Sequence, residues 1–354
     1  MSGIMAPGTH AADPTQSLMY AEAADGGATV ERQLDRNERA MSDLARRLRE
    51  TPPRFVVSCA RGSSDHAATF AKYLIETELG LVTASASLSV SSLYNAPQDV
   101  RGALYLVISQ SGRSADLVRS AEAARAGGAR VVALVNAEDS PLASIADTVI
   151  PLCAGPERSV PATKSYIGAL AAVLYLVAHW KKDAGLLQGL AATPAALGAA
   201  FAQDWSPLVR GLTSAKGMFV LGRGLGLGIA QEAALKLKET CGLHAEAFSS
   251  AEVKHGPMAL VKQDFPMLLF AQHDATLAGA LDAAREFRAR GARVWTAAPG
   301  DDHADALPLV NAPHPLCEPL LAVQSFYRAV NALALARGYD PDVPPHLHKV
   351  TQTL

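Results

Sequence analysis

The chain repeats itself, and that repetition limits the folds open to it more than any other feature. A short apolar run, Phe55-Val56-Val57-Ser58-Cys59, leads through Ala60-Arg61-Gly62 into a helical pattern. The same order returns as Met218-Phe219-Val220-Leu221-Gly222, then Arg223-Gly224, then a second helical pattern. Gly128-Ala129-Arg130-Val131 opens another apolar run, and Gly291-Ala292-Arg293-Val294 opens its echo. The Arg-Gly pairs lie 162 positions apart (223 − 61) and the Gly-Ala-Arg-Val strings 163 (291 − 128). Two separate matches at nearly one offset identify a duplicated unit. A length of 354 residues suits two such units and a sizeable core.

Within each unit, short apolar runs alternate with helical stretches. The runs are Phe55–Cys59, Leu104–Ile108, Val131–Val135 and Thr148–Leu152 in the first, and Met218–Leu221, Met267–Ala271, Val294–Ala297 and Leu307–Val310 in the second. Continuous apolar strands between helices predict a parallel sheet covered on both faces. The expected fold is therefore α/β, with two doubly wound, three-layer domains in tandem. The expected boundaries are a loose Ala/Gly/Pro/Thr-rich arm over 1–28, a first unit over 29–199, a second over 200–337 and a tail over 338–354. A helix is expected from Val30 to Leu48, stopped by Thr51-Pro52-Pro53. The apolar run Ile167–Trp180 is shorter than the roughly 20 residues a bilayer span needs, and reads as a buried helix.

Composition narrows the function classes. Apolar residues make up 49% and charged residues 19%, as in a globular chain. A net charge of −2 argues against nucleic acid as a partner, because duplex binding needs a basic face. Cys59, Cys153, Cys241 and Cys317 are widely spaced with no Cys-x-x-Cys pair, which reads as small buried hydrophobes in a reducing compartment. The first residues lack the basic region and apolar stretch of a secretory signal, so a cytoplasmic protein without a membrane partner is expected.

Ligands of open parallel sheets sit at the carboxyl ends of the strands, so the loops there are the ones to read. Leu104–Ile108 runs into Ser109-Gln110-Ser111-Gly112-Arg113-Ser114, with a helix expected from about Ala115. Hydroxyls, an amide and free N–H groups at a helix N-terminus make an anion site suited to phosphate. A single serine there would be an ordinary cap; this density of donors favours phosphate over that reading. Ser63 and Ser64 occupy the matching place after the first strand, either against a ligand or as a polar turn, with Asp65 as a helix cap. Arg223–Gly228 resembles a dinucleotide-binding glycine string, but no acidic residue follows at a strand end about 20 residues on. It is expected to form a tight turn near the ligand.

From about Ile229 to Cys241 a helix carries Glu232, Lys236 and Glu239 on one face. That pattern alone describes a solvated ion-paired stripe. The Ala and Leu residues around it favour burial instead, which makes a carboxylate there a candidate base for moving a proton beside a carbonyl. His255, ahead of Gly256-Pro257, is either a structural histidine or a proton-exchanging one. His346-x-His348 lacks a second pair of ligands, so no metal is expected, and no cofactor.

Taken together, Ser109-Gln110-Ser111-Gly112, Ala234-Leu235-Lys236-Leu237-Lys238-Glu239, His244-Ala245-Glu246-Ala247, Val253-Lys254-His255-Gly256-Pro257 and the Lys349 tail resemble the double-SIS sugar-isomerase family. The likeness is specifically to the isomerase half of glucosamine-6-phosphate synthases, and it covers about Val30 to Leu354. It implies a substrate site of Ser63, Ser64, Ser109, Gln110, Ser111 and Ser114, lined also by Val160 and Ala162, for a phosphorylated amino sugar. It makes Glu239 the base between C1 and C2, Lys236 a group polarising the sugar oxygens, and Lys349 the amine meeting the open-chain carbonyl over the site. His255 would open the ring from the neighbouring subunit of a homodimer. Two departures stand out. Met1-Ser2 stands where the synthases have the nucleophilic cysteine of a glutaminase domain, so no such domain is expected here. Ala162-Thr163-Lys164 stands where the synthases have Ser-Thr-Lys. The string Arg61-Gly62-Ser63-Ser64-Asp65-His66 is similar to stand-alone SIS amino-sugar phosphate deaminases. The resemblance thus implies release of ammonia from glucosamine 6-phosphate. Galactosamine 6-phosphate or a derivative is the alternative substrate, and a non-catalytic sugar-phosphate sensor the alternative class.

Overall fold

Two parallel sheets form the frame. The computed structural model describes residues 13–349. The first half contains β1 (Phe55–Cys59), β2 (Thr83–Ser85), β3 (Ala103–Ser109), β4 (Arg130–Val135) and β5 (Thr148–Pro151), in the spatial order β2-β1-β3-β4-β5. The second contains β6 (Gly217–Gly222), β7 (His244–Ser249), β8 (Pro266–Phe270) and β9 (Arg293–Ala297), in the order β7-β6-β8-β9. The order β2-β1-β3-β4 matches β7-β6-β8-β9, with β7 as the counterpart of β2, and β5 has no counterpart among the described strands. Sequence reading missed both of these edge strands. The expected strand Leu307–Val310 does not form: Leu307 donates its N–H to the Thr296 carbonyl at 2.7 Å, and there the pairing stops. Pro308, the next residue, has no N–H to continue the ladder.

Helices α1 (Leu18–Ala24), α2 (Gly26–Glu50), α3 (Ser63–Leu79), α4 (Leu88–Ser92), α5 (Ala115–Ala126), α6 (Pro141–Ile145), α7 (Lys164–Lys181) and α8 (Ala184–Phe201) belong to the first half of the chain. Helices α9 (Ser206–Leu212), α10 (Leu225–Cys241), α11 (Leu277–Ala289) and α12 (Glu318–Ala336) follow. The apolar run Ile167–Trp180 lies within α7, where Ala169–Ala178 are all buried. The more amphipathic α2 buries Val30, Met41, Leu44 and Leu48 at helical spacing and ends before Pro52 and Pro53. The expected boundary between residues 199 and 200 falls inside α8, which packs on both α2 and α12.

The arm expected over 1–28 is helical from Leu18 onward; residues 1–12 lie outside the described ones. Ser17 caps α1, and Met19 and Ala23 are buried. The N–H groups of Leu18 and Met19 donate to the Asp342 carboxylate at 2.8 and 2.7 Å, which ties this segment to the tail. Its Ala- and Gly-rich composition suggested a coil, but burial supplies what local propensity lacks.

Alternation along the strands shows where the core lies. Leu104, Leu106 and Ile108 of β3 join the same cluster as Met218 and Val220 of β6, while Tyr105 and Val107 face a separate cluster under α5. One core thus runs between the two sheets. Through it α3 and α10, each 17 residues long, pack as equivalent helices of the duplicated unit. Gly228 permits that approach, since a Cβ there would lie 2.6 Å from the His66 carbonyl oxygen. The duplication is also visible in torsions. Gly62 and Gly224, before α3 and α10, have φ 58° with ψ −133° and −129°, a region closed to other residues.

Candidate active site

The chain leaves β1 toward β2 on one side and returns to β3 on the other, so the loops after β1 and β3 diverge and open a crevice. A cavity of about 340 Å³ occupies it. Ser63 and Ser64 line it from the β1 loop, and Ser109, Gln110, Ser111 and Ser114 from the β3 loop. Ser114 stands at the N-cap of α5, yet its side chain makes no capping hydrogen bond. The ordinary-cap reading therefore does not describe it. Ser109 Oγ accepts from the Gly112 N–H at 3.0 Å and Ser111 Oγ from Arg113 N–H at 3.3 Å, which curls the loop back on itself. Gly112 is obligatory in that curl: its φ is 62°, and a Cβ would lie 2.1 Å from Ser140 Oγ.

The two serines after β1 differ. Ser63 Oγ donates to Glu232 Oε1 at 3.1 Å, whereas Ser64 faces the cavity with no side-chain partner among the described residues. Asp65, read as a cap, lies one turn in; Gly62 occupies the N-cap of α3.

The wall opposite the cradle comes from the second half of the chain, where Lys236 and Glu239 of α10 line the cavity. Glu232 and Lys236 are fully buried, so this helix face is not a solvated stripe. The Lys236 ammonium donates to Glu239 and lies 3.6 Å from Glu232 Oε1. Burial opposes the ammonium, but the two carboxylates outweigh it and hold its pKa above the ordinary lysine value. Glu232 also accepts from Tyr327 OH at 3.1 Å and meets His66 Nδ1 at 3.0 Å. Burial pushes its pKa up, yet Lys236, His66 and Ser63 together bring it below the usual carboxylate range.

Val160 and Ala162 complete one side of the cavity, and the tail residues Leu347, His348 and Lys349 cover it. Lys349 Nζ donates to Glu157 Oε2 at 3.1 Å and to the Ser159 carbonyl at 2.7 Å. The buried Glu157 also accepts from the N–H groups of Thr163 and Ser165 and from Ser165 Oγ. Val350 to Leu354 lie outside the described residues.

His255 is not brought to this cavity. It is exposed in the turn between Glu252–Lys254 and Pro257–Leu260. The glycine-rich stretch Arg223–Gly228, expected as a turn near the ligand, does not line the cavity either. Leu225–Gly228 is the first turn of α10 instead, and a Cβ at Gly226 would lie 2.8 Å from Gln272 Oε1. Its glycines serve packing. Arg61, Leu347 and His348 also line the cavity; from the sequence Arg61 reads only as part of a motif string and His348 only as a metal-ligand candidate, and none of the three as a substrate residue. Arg61 carried a usable signal, being the first charged residue after a strand that precedes a glycine turn.

Models of known families agree with this architecture. The SIS domain model matches residues 53–179 and 211–297, together more than half of the chain. The chain belongs to the SIS domain family. The matched segments correspond to the two sheets, each with its switch-point helix. This SIS protein is 31% identical over 312 residues to a glutamine–fructose-6-phosphate aminotransferase (isomerizing) of Zymomonas mobilis, covering 83% of the chain and 51% of that relative. It spans about half the length of the curated relatives it matches. A Silicibacter pomeroyi protein provisionally described as a phosphosugar isomerase shares 42% identity, with a TM-score of 0.88, covering 92% of this chain and 100% of that one. The C-terminal domain of glucosamine-fructose-6-phosphate aminotransferase from Francisella tularensis shares 26% identity, with a TM-score of 0.82, covering 93% and 98%. The homologous part is therefore the isomerase domain, and sugar-phosphate isomerase chemistry is the activity class of the family members it resembles.

Proposed function

We propose that this protein is an amino-sugar phosphate deaminase-isomerase, converting glucosamine 6-phosphate and water to fructose 6-phosphate and ammonia. One observation carries the reading: a hydroxyl-lined helix N-terminus from one half of the duplication and a carboxylate–lysine pair from the other line the same cavity. The hydroxyls suit the phosphate, while Glu239 suits the carbons at the far end of an extended sugar chain. In the open-chain aldehyde, Glu239 takes the proton from C2, giving a C1–C2 enolamine whose C1 oxygen is protonated. Return of the proton to C1 leaves a hydroxymethyl group at C1 and an imine at C2. Water adds to C2 and ammonia departs, leaving the ketone. Lys236 steadies charge on the oxygens of the enolamine, and Lys349 meets the carbonyl when the tail closes. His255 opens the sugar ring from the other subunit of a homodimer. Its exposure and its distance in sequence from the cavity-lining loops are compatible with service to a second copy.

The string Arg61-Gly62-Ser63-Ser64-Asp65-His66 supports ammonia release over transfer, through its likeness to stand-alone deaminases. Free thiols, three of them buried, suit a cytoplasmic location. The test is ammonia release from a panel of amino-sugar 6-phosphates, including the galacto epimer. Glu239→Gln should lower kcat by about 10²–10⁴-fold while substrate still binds, as expected for loss of a positioned base. Near wild-type turnover in that variant refutes the base assignment. No ammonia from any substrate, with sugar phosphate still bound, refutes the enzyme and leaves a sensor.

A further inference from the structure

We propose that Arg61, held by Asp116, is the charged part of the phosphate site and recognises the substrate's phosphate directly. The proposal rests on the reading that the cavity holds a sugar phosphate. The serine cradle offers only neutral donors, and both cavity lysines are committed elsewhere, Lys236 to Glu232 and Glu239, Lys349 to Glu157. A phosphate ester carries up to two negative charges near neutral pH, and charge-assisted donors hold it far better than neutral ones.

Arg61 reaches from the end of β1 across to the first turn of α5. Its Nε and Nη2 donate to Asp116 Oδ2 at 3.0 and 2.8 Å. Asp116 is only 3% exposed, and its other oxygen accepts from the Leu117 N–H at 2.8 Å. A buried carboxylate therefore sits two residues inside the helix whose N-terminus faces the cavity. Left alone it would absorb the positive end of that helix and repel a phosphate. Arg61 cancels it.

The same pairing leaves part of the guanidinium free. Of its five N–H groups, one on Nε and one on Nη2 face Asp116. None of the remaining three has a partner among the described residues, and two of them, one on Nη1 and one on Nη2, form the Nη1–Nη2 edge. That edge is the planar fork that matches two phosphate oxygens. The side chain is 51% exposed and lines the cavity, which a plain tether between two loops does not require. Asp116 thus fixes one edge of Arg61 and presents the other.

The experiment is calorimetric binding of glucitol 6-phosphate, which cannot isomerise, and of inorganic phosphate. Arg61→Gln should weaken both by about 10- to 100-fold, the usual range for loss of a charged hydrogen-bonding partner. Arg61→Gln/Asp116→Asn should bind more tightly than Arg61→Gln, because the unmasked carboxylate is gone. Arg61→Lys, which keeps the charge but not the fork, should fall between wild type and Arg61→Gln, and it carries the test if Arg61→Gln does not fold. Unchanged affinity in folded Arg61→Gln or Arg61→Lys overturns the role of Arg61 while leaving the sugar-phosphate reading intact. A double variant no better than Arg61→Gln overturns the masking of Asp116. If the wild type binds neither ligand, the reading of the cavity fails and this proposal with it.

Discussion

Replacing Glu232 by Gln should move the alkaline side of the pH–rate profile, and the structure sets the size of the effect. Glu232, fully buried, and Glu239, on the cavity wall, both face the buried Lys236 ammonium, and Glu232 Oε1 lies 3.6 Å away. At an effective dielectric constant of about 20, one unit charge at that distance is worth about 4–5 kcal/mol. Burial opposes the ammonium, and the charges of Glu232, Glu239 and Glu157 together with the Glu239 hydrogen bond overcome it. Without Glu232 the balance tips toward desolvation and Lys236 loses its proton at lower pH. Glu239 remains, so the displacement is downward but does not remove the ammonium altogether. The wild type, whose lysine is held above its ordinary pKa, should hold its rate to the top of the accessible range. Glu232→Gln should lose activity well below that point. The assay is ammonia release at saturating substrate from about pH 6 to about pH 10, with thermal unfolding to verify the fold. Tyr327→Phe is the control, since it removes a neutral donor to Glu232 and keeps both charges. Superimposable profiles for Glu232→Gln and wild type would refute the reasoning, as would an equal displacement in Tyr327→Phe.

Three further outcomes follow from the same geometry. Burial pushes the Glu157 carboxyl upward, but Lys349, Ser165 and the Thr163 N–H more than offset this and hold its pKa below 4.5. Such a depressed group stabilises the fold above its unfolded pKa and stops doing so as pH falls through its folded one. Lys349→Met should therefore cost about 1–3 kcal/mol near pH 7, with the gap closing as pH falls below the ordinary carboxylate pKa, and a gap in denaturant stability that stays constant into the acid range would contradict this. Burial raises the thiol pKa values of Cys59 and Cys241 to about 12 and that of Cys317 to about 11, so iodoacetamide at neutral pH should label only the less buried Cys153, as peptide mapping would show. Mixing inactive Glu239→Gln and His255→Ala chains should recover about a quarter of wild-type activity, since half the dimers are hybrids with one intact site each; verified hybrids without activity would exclude a shared site.

The strands of the frame and the duplicated pattern were legible in the sequence, because both depend on local periodicity and on turn glycines. Apolar runs such as Leu104–Ile108 bury both faces, and Gly62 and Gly224 adopt a backbone that side chains forbid. The edge strands Thr83–Ser85 and His244–Ser249 escaped notice because both are largely polar or half-exposed. Leu307–Val310 misled for the converse reason: apolar content suggested a strand that Pro308 cannot continue. Cavity residues near Ser109 and Ser63 were legible too, since strand ends and helix starts are local signals. What tertiary structure alone decided is which charges are buried and whom they face. Spacing aligned Glu232, Lys236 and Glu239 on one helix face, but only the close crossing of α10 with α3 at Gly228 buries Glu232 against Ser63 and His66 while leaving Glu239 at the cavity. Asp116 and Arg61 are 55 positions apart, and Glu157 and Lys349 are 192 apart. Partners so distant are chosen by the packing of elements within and between the units, and no short-range pattern records that choice.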